Sequence, residues 1–180
     1  VVALELLEGL LDQPGMPRRM LADVLAAAIR LGAKITDLAG LELCYAPPFG
    51  SAKDPVNMLG FIAENVITQR VKQFFWHDVE KLPRDGSVIL LDVRTPLEAS
   101  RGMIKGFKNI PLDSLRERIN ELPKGKRVYV HCHSGLRSYI ACRILAGHGY
   151  DCYNLAGGWQ LYESAVNERT APEYICTQCR

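Results

Sequence analysis

The sequence has no strong excess of either charge, no long apolar run and no dense cysteine pattern, and each absence excludes a class of protein. Its 180 residues carry a formal net charge of +2, and 23% of them are charged. Such a balance gives no strong attraction to nucleic acid or to an acidic membrane surface. No uninterrupted apolar run is long enough to span a bilayer. We therefore expect neither nucleic acid nor a membrane as a partner.

Cysteine is present but thinly spread. Six cysteines are too few and too scattered to form a disulfide scaffold in a chain of this length, so a reducing cytoplasm is the expected location. Cys142 and Cys152 are interpreted as packed thiols rather than a bridge, and Cys44 as a buried residue. Cys176 and Cys179 have the spacing of half a zinc site, but no second pair accompanies them. We favour a loose tail there, with a redox pair that accepts sulfur as the alternative.

The motifs of nucleotide-cofactor binding are missing as well. No Gly-x-Gly-x-x-Gly follows a predicted strand, and no pair of redox cysteines lies at a flavin-site helix. We therefore expect neither FAD nor NAD(P)H to bind to this chain alone. No other cofactor and no metal is predicted.

The first part of the chain is mostly helical. Helical spacing of apolar residues up to position 13 is broken by Pro14, and a second helical pattern ends at Gly32. A short extended stretch at residues 41–45 precedes Asp54-Pro55, which opens another helix. Two or three helices with scarcely a strand do not make a complete domain, and the chain opens on Val1 without an initiator methionine. We interpret this part as a piece of a larger α+β domain.

From about Gln73 onward, predicted strands alternate with predicted helices. Strands are predicted at residues 87–93, 127–131 and 153–155, and helices at residues 112–122, after Ser138 and after Trp159. The helix after Ser138 is expected to bury the following residues: Ile140, Ala141, Ile144 and Leu145. This alternation predicts an α/β fold with a parallel sheet covered by helices on both faces.

Cys132 follows a predicted strand and precedes a predicted helix. Ligands of α/β sheets bind beyond the carboxyl ends of the strands, where the loop amides and the helix dipole favour an anion. Together with Arg137, these groups would favour the thiolate, which is the nucleophilic form of cysteine. Gly135 permits a sharp loop, and the hydroxyls of Ser134 and Ser138 can donate hydrogen bonds, Ser138 also as a helix cap. The alternative is an ordinary buried cysteine. We favour the nucleophile because of the whole setting.

Three segments, LLDVRTPLEASRGMIKGFKNIPL, RVYVHCHSGLRS and NLAGGW, resemble in content and order the rhodanese, or sulfurtransferase, domain. The resemblance spans about residues 75–166. It implies a rhodanese-like parallel sheet with helices on both faces. It also implies a cysteine that takes a sulfane sulfur from thiosulfate, a polysulfide or a persulfide, holds it as a persulfide, and passes it to a thiol acceptor.

The same resemblance assigns roles to individual residues. Cys132 would carry the sulfur, and Arg137 would orient the loop or an anionic donor. Asp92 and Arg94 match the Asp-Val-Arg segment and would brace the site. The sulfur-binding loop would consist of His133, Ser134, Gly135, Leu136 and Ser138. Met103 stands where the family pattern has histidine, so no side-chain role is expected there.

Two other functions remain open beside sulfur transfer. Cysteine phosphatases also place an arginine after a cysteine, but with five residues between them, and this chain has four. A shorter loop suits a terminal sulfur better than a tetrahedral phosphate, so phosphatase chemistry is disfavoured. A non-catalytic rhodanese-like docking module is the second alternative. The intact pair of Cys132 and Arg137 argues against it.

The front segment YAPPFGSAKDPVN resembles the end of the dimerisation domain of FAD-dependent pyridine nucleotide–disulfide oxidoreductases, in the branch of coenzyme A-disulfide reductases, NADH oxidases and polysulfide reductases. That resemblance implies a homodimeric parent with upstream flavoprotein domains that bind FAD, NAD(P)H and coenzyme A. It also implies that Tyr45 reaches the partner subunit's active site, with plain packing as the alternative. The expected organisation is a partial dimerisation domain at residues 1–67, a linker at 68–74, a rhodanese domain at 75–168 and a tail at 169–180.

Overall fold

The structure, a computed structural model, describes residues 18–44 and 53–170. The helices are α1 (Arg18–Arg30), α2 (Pro55–Ile67), α3 (Pro96–Ser100), α4 (Leu112–Arg118), α5 (Leu136–Gly147) and α6 (Gly158–Thr170). The strands are β1 (Lys72–Phe74), β2 (Ile89–Asp92), β3 (Lys108–Asn109), β4 (Arg127–His131) and β5 (Asp151–Leu155). Short 3-10 helices lie at Ile35–Gly40, Trp76–Lys81 and Ile119–Glu121.

The five strands form one parallel sheet in the order β1-β5-β4-β2-β3. The predicted α/β fold with a parallel sheet is thus confirmed. The sequence pattern missed both edge strands. The expected linker at 68–74 includes β1, where Phe74 pairs with Leu155 of β5. The register aligns Asp92 with His131, so the carboxyl ends of β2 and β4 lie side by side.

Helices cover both faces of the sheet because successive side chains of a strand point to opposite faces. On β2, Leu91 enters the core under α4 and α5, whereas Leu90 enters the core on the side of α6. On β4, Val130 lies in the first core, and Tyr129 packs against the second. Each apolar side chain that is fully buried in this way contributes about 2 kcal/mol to folding. The two cores pack against the strands whose carboxyl ends lead into the cysteine loop.

Residues 18–44 and 53–67 form a smaller helical unit with its own apolar cluster. Leu21, Leu38, Val56 and Leu59 are buried together there. Asn57 donates hydrogen bonds from its side-chain amide to the carbonyls of Leu38 and Leu41, at 3.0 and 2.9 Å. The predicted helix start at Asp54-Pro55 is confirmed, since Asp54 is the N-cap of α2.

Two burial predictions are wrong. Cys44 was expected to be buried but is exposed. On α5, Ile140 is 39% exposed, and the buried face consists of Ser138, Ala141, Cys142 and Leu145. The helix is rotated so that Ser138 points towards Cys132, which turns Ile140 outward.

Several predictions fall outside the described residues, namely the first helix before Pro14, Tyr45 and the pair of Cys176 and Cys179. Within residues 18–44 and 53–170, no helix has the length and the apolar character needed to cross a membrane.

Candidate active site

The cysteine loop connects β4 to α5 in four residues. β4 ends at His131, Cys132 follows it, and α5 begins at Leu136 with Gly135 as its N-cap. Gly135 has a φ of 107°, which is a left-handed conformation that residues with a side chain rarely adopt. The predicted need for glycine at this position is confirmed. Because the loop turns so tightly, the first turn of α5 begins close to the cysteine.

The sulfur of Cys132 accepts two hydrogen bonds. The backbone N–H of Gly135 donates to Sγ at 3.1 Å, and the hydroxyl of Ser138 donates at 3.3 Å. Hydrogen bonds to an ionised acceptor are stronger than those to a neutral one, so both donors stabilise negative charge on sulfur. The Ser138 hydroxyl also lies 3.0 Å from the carbonyl oxygen of Gly135, and its single hydrogen serves one acceptor at a time. Ser138 therefore contacts the sulfur from within α5. It is not the helix cap that was expected, because the N-cap is Gly135.

The start of α6 is hydrogen-bonded to the backbone of the cysteine loop. The backbone N–H of Trp159 donates to the carbonyl of Cys132 at 2.8 Å, and that of Gln160 donates to the carbonyl of His133 at 2.9 Å. Gly158 makes this approach possible, because a Cβ atom there would lie 2.5 Å from the His133 oxygen and 2.7 Å from the Cys132 oxygen. The segment NLAGGW thus packs closely against the backbone of the cysteine loop.

A buried ion pair lies beside the start of α6. Arg94 contacts both carboxylate oxygens of Asp92 through Nε and Nη2, at 2.8–3.1 Å, and both side chains are almost completely buried. Arg94 also donates to the carbonyl of Gly102 at 2.7 Å, and its guanidinium carbon lies 4.6 Å from the ring centroid of Trp159. The ion pair therefore reaches the backbone of Cys132 indirectly, Arg94 through Trp159 and Asp92 through His131.

His131 fills the space between these groups. It is fully buried, with its ring between Phe107 and Trp159. Burial lowers the pKa of His131 from 6.5 to about 4, although the nearby Asp92 carboxylate acts in the opposite direction. Its Nδ1 lies 3.3 Å from the carbonyl oxygen of Cys132, to which it donates a hydrogen bond in the tautomer with the proton on Nδ1. The neutral ring thus braces the cysteine backbone rather than supplying charge.

The guanidinium of Arg137 is paired with a carboxylate of the protein. Its two terminal nitrogens donate to the two carboxylate oxygens of Glu98, at 2.7 and 2.6 Å. The Arg137 guanidinium lowers the pKa of Glu98 far below its ordinary value, and Glu98 raises the pKa of Arg137. Both side chains are about one-third exposed, so the pair lies at the rim of the cysteine loop.

The remaining predicted loop residues are more open. His133, Ser134 and Leu136 are exposed at the surface around the loop, and Met103 is 41% exposed. Cys132 itself is only 1% exposed, so its side chain has almost no contact with solvent.

Cys142 and Cys152 are free, buried thiols in the same core as Cys132, which agrees with the predicted packed thiols. A hydrogen bond with Cys152, together with burial, raises the pKa of Cys142 well above its ordinary value. Among the described residues, no group of three or more histidine, cysteine, aspartate or glutamate side chains is arranged to hold a metal ion.

The sequence analysis gave no individual role to four residues that shape the site, although they lie in the quoted segments: Glu98, Asn154, Gly158 and Trp159. Glu98 carries a local signal, since Thr95-Pro-Leu-Glu98 forms a helix capping box. That signal says nothing about Arg137, which lies 39 residues further along the chain. The Asn154 side chain donates to the Gly135 carbonyl at 3.3 Å, again across a long sequence separation.

The structure thus combines a parallel sheet with a cysteine that is hydrogen-bonded at the carboxyl edge of that sheet. A family model of the rhodanese-like domain matches residues 76–165, which is half of the chain. A sulfurtransferase of Allochromatium vinosum is 40% identical over 80 residues, which cover 44% of this chain and 75% of that protein. A putative sulfurtransferase of Bacillus subtilis is 33% identical over 90 residues, covering 50% of this chain and 87% of that protein. The chain belongs to the rhodanese-like family.

Two solved structures resemble more of the chain. The crystal structure of reduced Bacillus anthracis CoADR-RHD is 46% identical and covers 82% of this chain, with a TM-score of 0.77. A NAD-dependent persulfide reductase from A. fulgidus is 37% identical and covers 76%, with a TM-score of 0.67. The chain spans only 26% and 24%, respectively, of the lengths of those two chains.

Proposed function

We propose that this domain carries sulfane sulfur as a persulfide on Cys132. The observation that supports this most directly is the position of Sγ, which accepts hydrogen bonds from the Gly135 amide and the Ser138 hydroxyl at the start of α5. Both donors favour an anionic sulfur at the carboxyl edge of the sheet. A persulfide anion has the same charge as the thiolate, so the same donors can hold either form.

The proposed reaction has two displacement steps. The Cys132 thiolate attacks the outer sulfur of the donor, a new S–S bond forms, and the leaving group departs with the electron pair of the broken bond. From thiosulfate, for example, the leaving group is sulfite. An acceptor thiolate then attacks the outer sulfur of the persulfide, and Cys132 leaves as the thiolate. Because the cysteine itself carries the sulfur, neither step needs a bound cofactor.

The loop length favours sulfur transfer over phosphatase chemistry. Four residues separate Cys132 from Arg137, and Arg137 is held by Glu98 rather than directed at a phosphate position. A docking module without turnover would need neither a hydrogen-bonded sulfur nor the glycine conformation that brings the Gly135 amide to it. The arrangement therefore supports a catalytic domain.

The longer protein is proposed to be a homodimeric, cytoplasmic, FAD-dependent NAD(P)H reductase of disulfides, polysulfides or coenzyme A persulfides. Support comes from the likeness to CoADR-RHD and to the NAD-dependent persulfide reductase, both about three times as long as this chain. In that proposal, residues 1–67 complete a dimerisation domain, Tyr45 reaches the partner subunit's active site, and the domain at 75–168 supplies or removes sulfur. Free thiols of this kind persist in a reducing compartment.

Thiocyanate formation from thiosulfate or a thiosulfonate and cyanide tests the proposal. Turnover that is abolished by Cys132→Ser and kept by Cys44→Ser, a change of an exposed cysteine, is the expected result. A folded protein that transfers sulfur from neither donor would favour the docking module. Release of phosphate from an aryl phosphate would favour the phosphatase.

A further inference from the structure

Glu98 and Arg137 form a closed ion pair at the rim of the cysteine loop. Each carboxylate oxygen of Glu98 accepts one hydrogen bond from a different terminal nitrogen of Arg137, at 2.6 and 2.7 Å. One of those oxygens also accepts hydrogen bonds from the N–H and the hydroxyl of Thr95, at 2.9 and 2.8 Å. Glu98 is therefore anchored by the start of α3, and it holds Arg137 from a fixed position.

The pairing removes the positive charge that an arginine after the cysteine would otherwise offer to a donor. The next arginine along the site, Arg94, is likewise neutralised by Asp92 in a buried pair. His131 is neutral because burial keeps its pKa at about 4. Among the described residues, the hydrogen-bond donors to the sulfur are the Gly135 amide and the Ser138 hydroxyl, and the dipole of α5 adds to them; all of these are partial charges. Partial charges suit one negative charge better than two.

We propose that Glu98 sets the charge of the sulfur donor: by holding Arg137 in a neutral pair, it selects singly charged donors, such as persulfides and thiosulfonates, over the dianion thiosulfate. The proposal rests on the sulfur-transfer function proposed above. Glu98 acts through Arg137, because its carboxylate is hydrogen-bonded to Arg137 and Thr95 and not to the sulfur, so it is a positioning residue. The pKa of Glu98 is held far below its ordinary value, so the carboxylate stays ionised throughout the neutral range.

The test compares two donors that differ by one charge. Thiosulfate and methanethiosulfonate have the same sulfane sulfur, but a methyl group replaces one charged oxygen in the second. Each gives its outer sulfur to Cys132 and leaves as sulfite or as methanesulfinate. The quantity measured is the ratio of kcat/KM for thiosulfate to kcat/KM for methanethiosulfonate, with cyanide as the acceptor. Because the two donors differ in intrinsic reactivity, only the change of this ratio between variants is interpreted.

Glu98→Gln removes the charge and keeps the capping box, since glutamine serves at that helical position as well as glutamate. The ratio is expected to rise about tenfold, the effect of one uncompensated charge near the donor in a partly exposed site. Arg137→Gln leaves Glu98 unpaired, so the ratio is expected to fall. Glu121→Gln is the matched control, because Glu121 is likewise bound to an arginine, Arg118, in another part of the domain. That control is expected to leave the ratio unchanged.

The outcomes separate this inference from the function on which it rests. If the wild-type chain transfers sulfur from neither donor, the proposed function fails. If it transfers sulfur but Glu98→Gln and Glu121→Gln give the same ratio, only the role of Glu98 is overturned. A fall of the ratio in Glu98→Gln, or a rise in Arg137→Gln, would also overturn it. Should Glu98→Gln fail to fold, Arg137→Gln alone still decides the sign.

Discussion

The backbone amide of Trp159 donates a hydrogen bond to the carbonyl oxygen of Cys132, at an N···O distance of 2.8 Å. This bond joins two regions that lie 27 residues apart in sequence, and it fixes the cysteine backbone against the start of α6. Arg94 lies over the Trp159 ring and connects the same residue to the end of β2. The three sequence segments that resemble a sulfurtransferase therefore meet at Trp159.

The close approach of Gly158 to the cysteine loop predicts a large effect of Gly158→Ala. The new Cβ would lie within 2.7 Å of the carbonyl oxygens of Cys132 and His133, so the loop backbone must shift. We expect a loss of about 3 kcal/mol of unfolding free energy and a strong loss of sulfur transfer. Gly86→Ala is the control, because Gly86 also has a positive φ but has open space around it. It should cost about 1 kcal/mol and leave transfer intact. Equal effects would contradict the proposed contact.

The buried pair of Arg94 and Asp92 predicts that Arg94→Met is strongly destabilising. Removing the arginine leaves the Asp92 carboxylate buried and unpaired, which costs about 3–5 kcal/mol. Arg118→Met breaks an exposed pair with Glu121 and should cost less than about 1 kcal/mol. Urea unfolding followed by tryptophan fluorescence measures both, since the two tryptophans, Trp76 and Trp159, lie in this domain. Similar losses in both variants would mean that Arg94 is not the partner that stabilises Asp92.

Burial of His131 predicts a loss of stability as the pH falls. The unfolded chain binds the proton near pH 6.5 and the folded chain only near pH 4, so protons favour unfolding between those values. Because the folded-state pKa of His131 is lowered, the free energy of unfolding decreases as the pH falls, by about 1.5 kcal/mol between pH 6.5 and about pH 5. Asp92, Arg94 and the Cys132 carbonyl are the groups that face the ring. His131→Phe should flatten this dependence, whereas His148→Phe, at an exposed position, should keep it. An unchanged slope in His131→Phe would show that another group is responsible.

The contact between Ser138 and the sulfur predicts a rate effect of Ser138→Ala. The variant loses one of two hydrogen bonds to Sγ, and we expect sulfur uptake to slow by about tenfold because a bond to an ionised group contributes about 1.5 kcal/mol. Ser114→Ala is the matched control: its hydroxyl donates to the Pro111 carbonyl at the start of another helix. Stopped-flow measurement of single-turnover uptake compares the two. A wild-type rate in Ser138→Ala would show that the hydroxyl donates to Gly135 instead.

The sequence predicted the centre of the sheet well, because local patterns determine it. β4 begins and ends where the β-branched run RVYVH predicted, and Gly135 has the left-handed conformation expected of it. The edge strands β1 and β3 were missed because three and two residues are too few to form a pattern. They are strands only because their backbones pair with β5 and β2.

The buried face of α5 was predicted only in part from apolar spacing, since Ala141 and Leu145 are buried as expected and Ile140 is not. Apolar residues favoured a face through Ile140 and Ile144, but the cysteine loop fixes the rotation of the helix. Ser138 therefore faces the sulfur, and Cys142 and Leu145 follow it inward at helical spacing. The contact of Ser138 with the sulfur thus has more influence on the rotation of the helix than the apolar pattern has. The pairing of Glu98 with Arg137 was missed for a related reason, since it depends on tertiary structure alone.

The mass of the protein after incubation with a sulfur donor tests the persulfide on Cys132 most directly. After thiosulfate or methanethiosulfonate and removal of excess donor, intact-mass and peptide analysis should show one added sulfur on Cys132. Cys132→Ser should gain none, and Cys142→Ser, which alters a buried thiol in the same core, should still gain one. Added sulfur on Cys142 or Cys152, or none on a folded wild-type chain with either donor, would contradict the proposed chemistry.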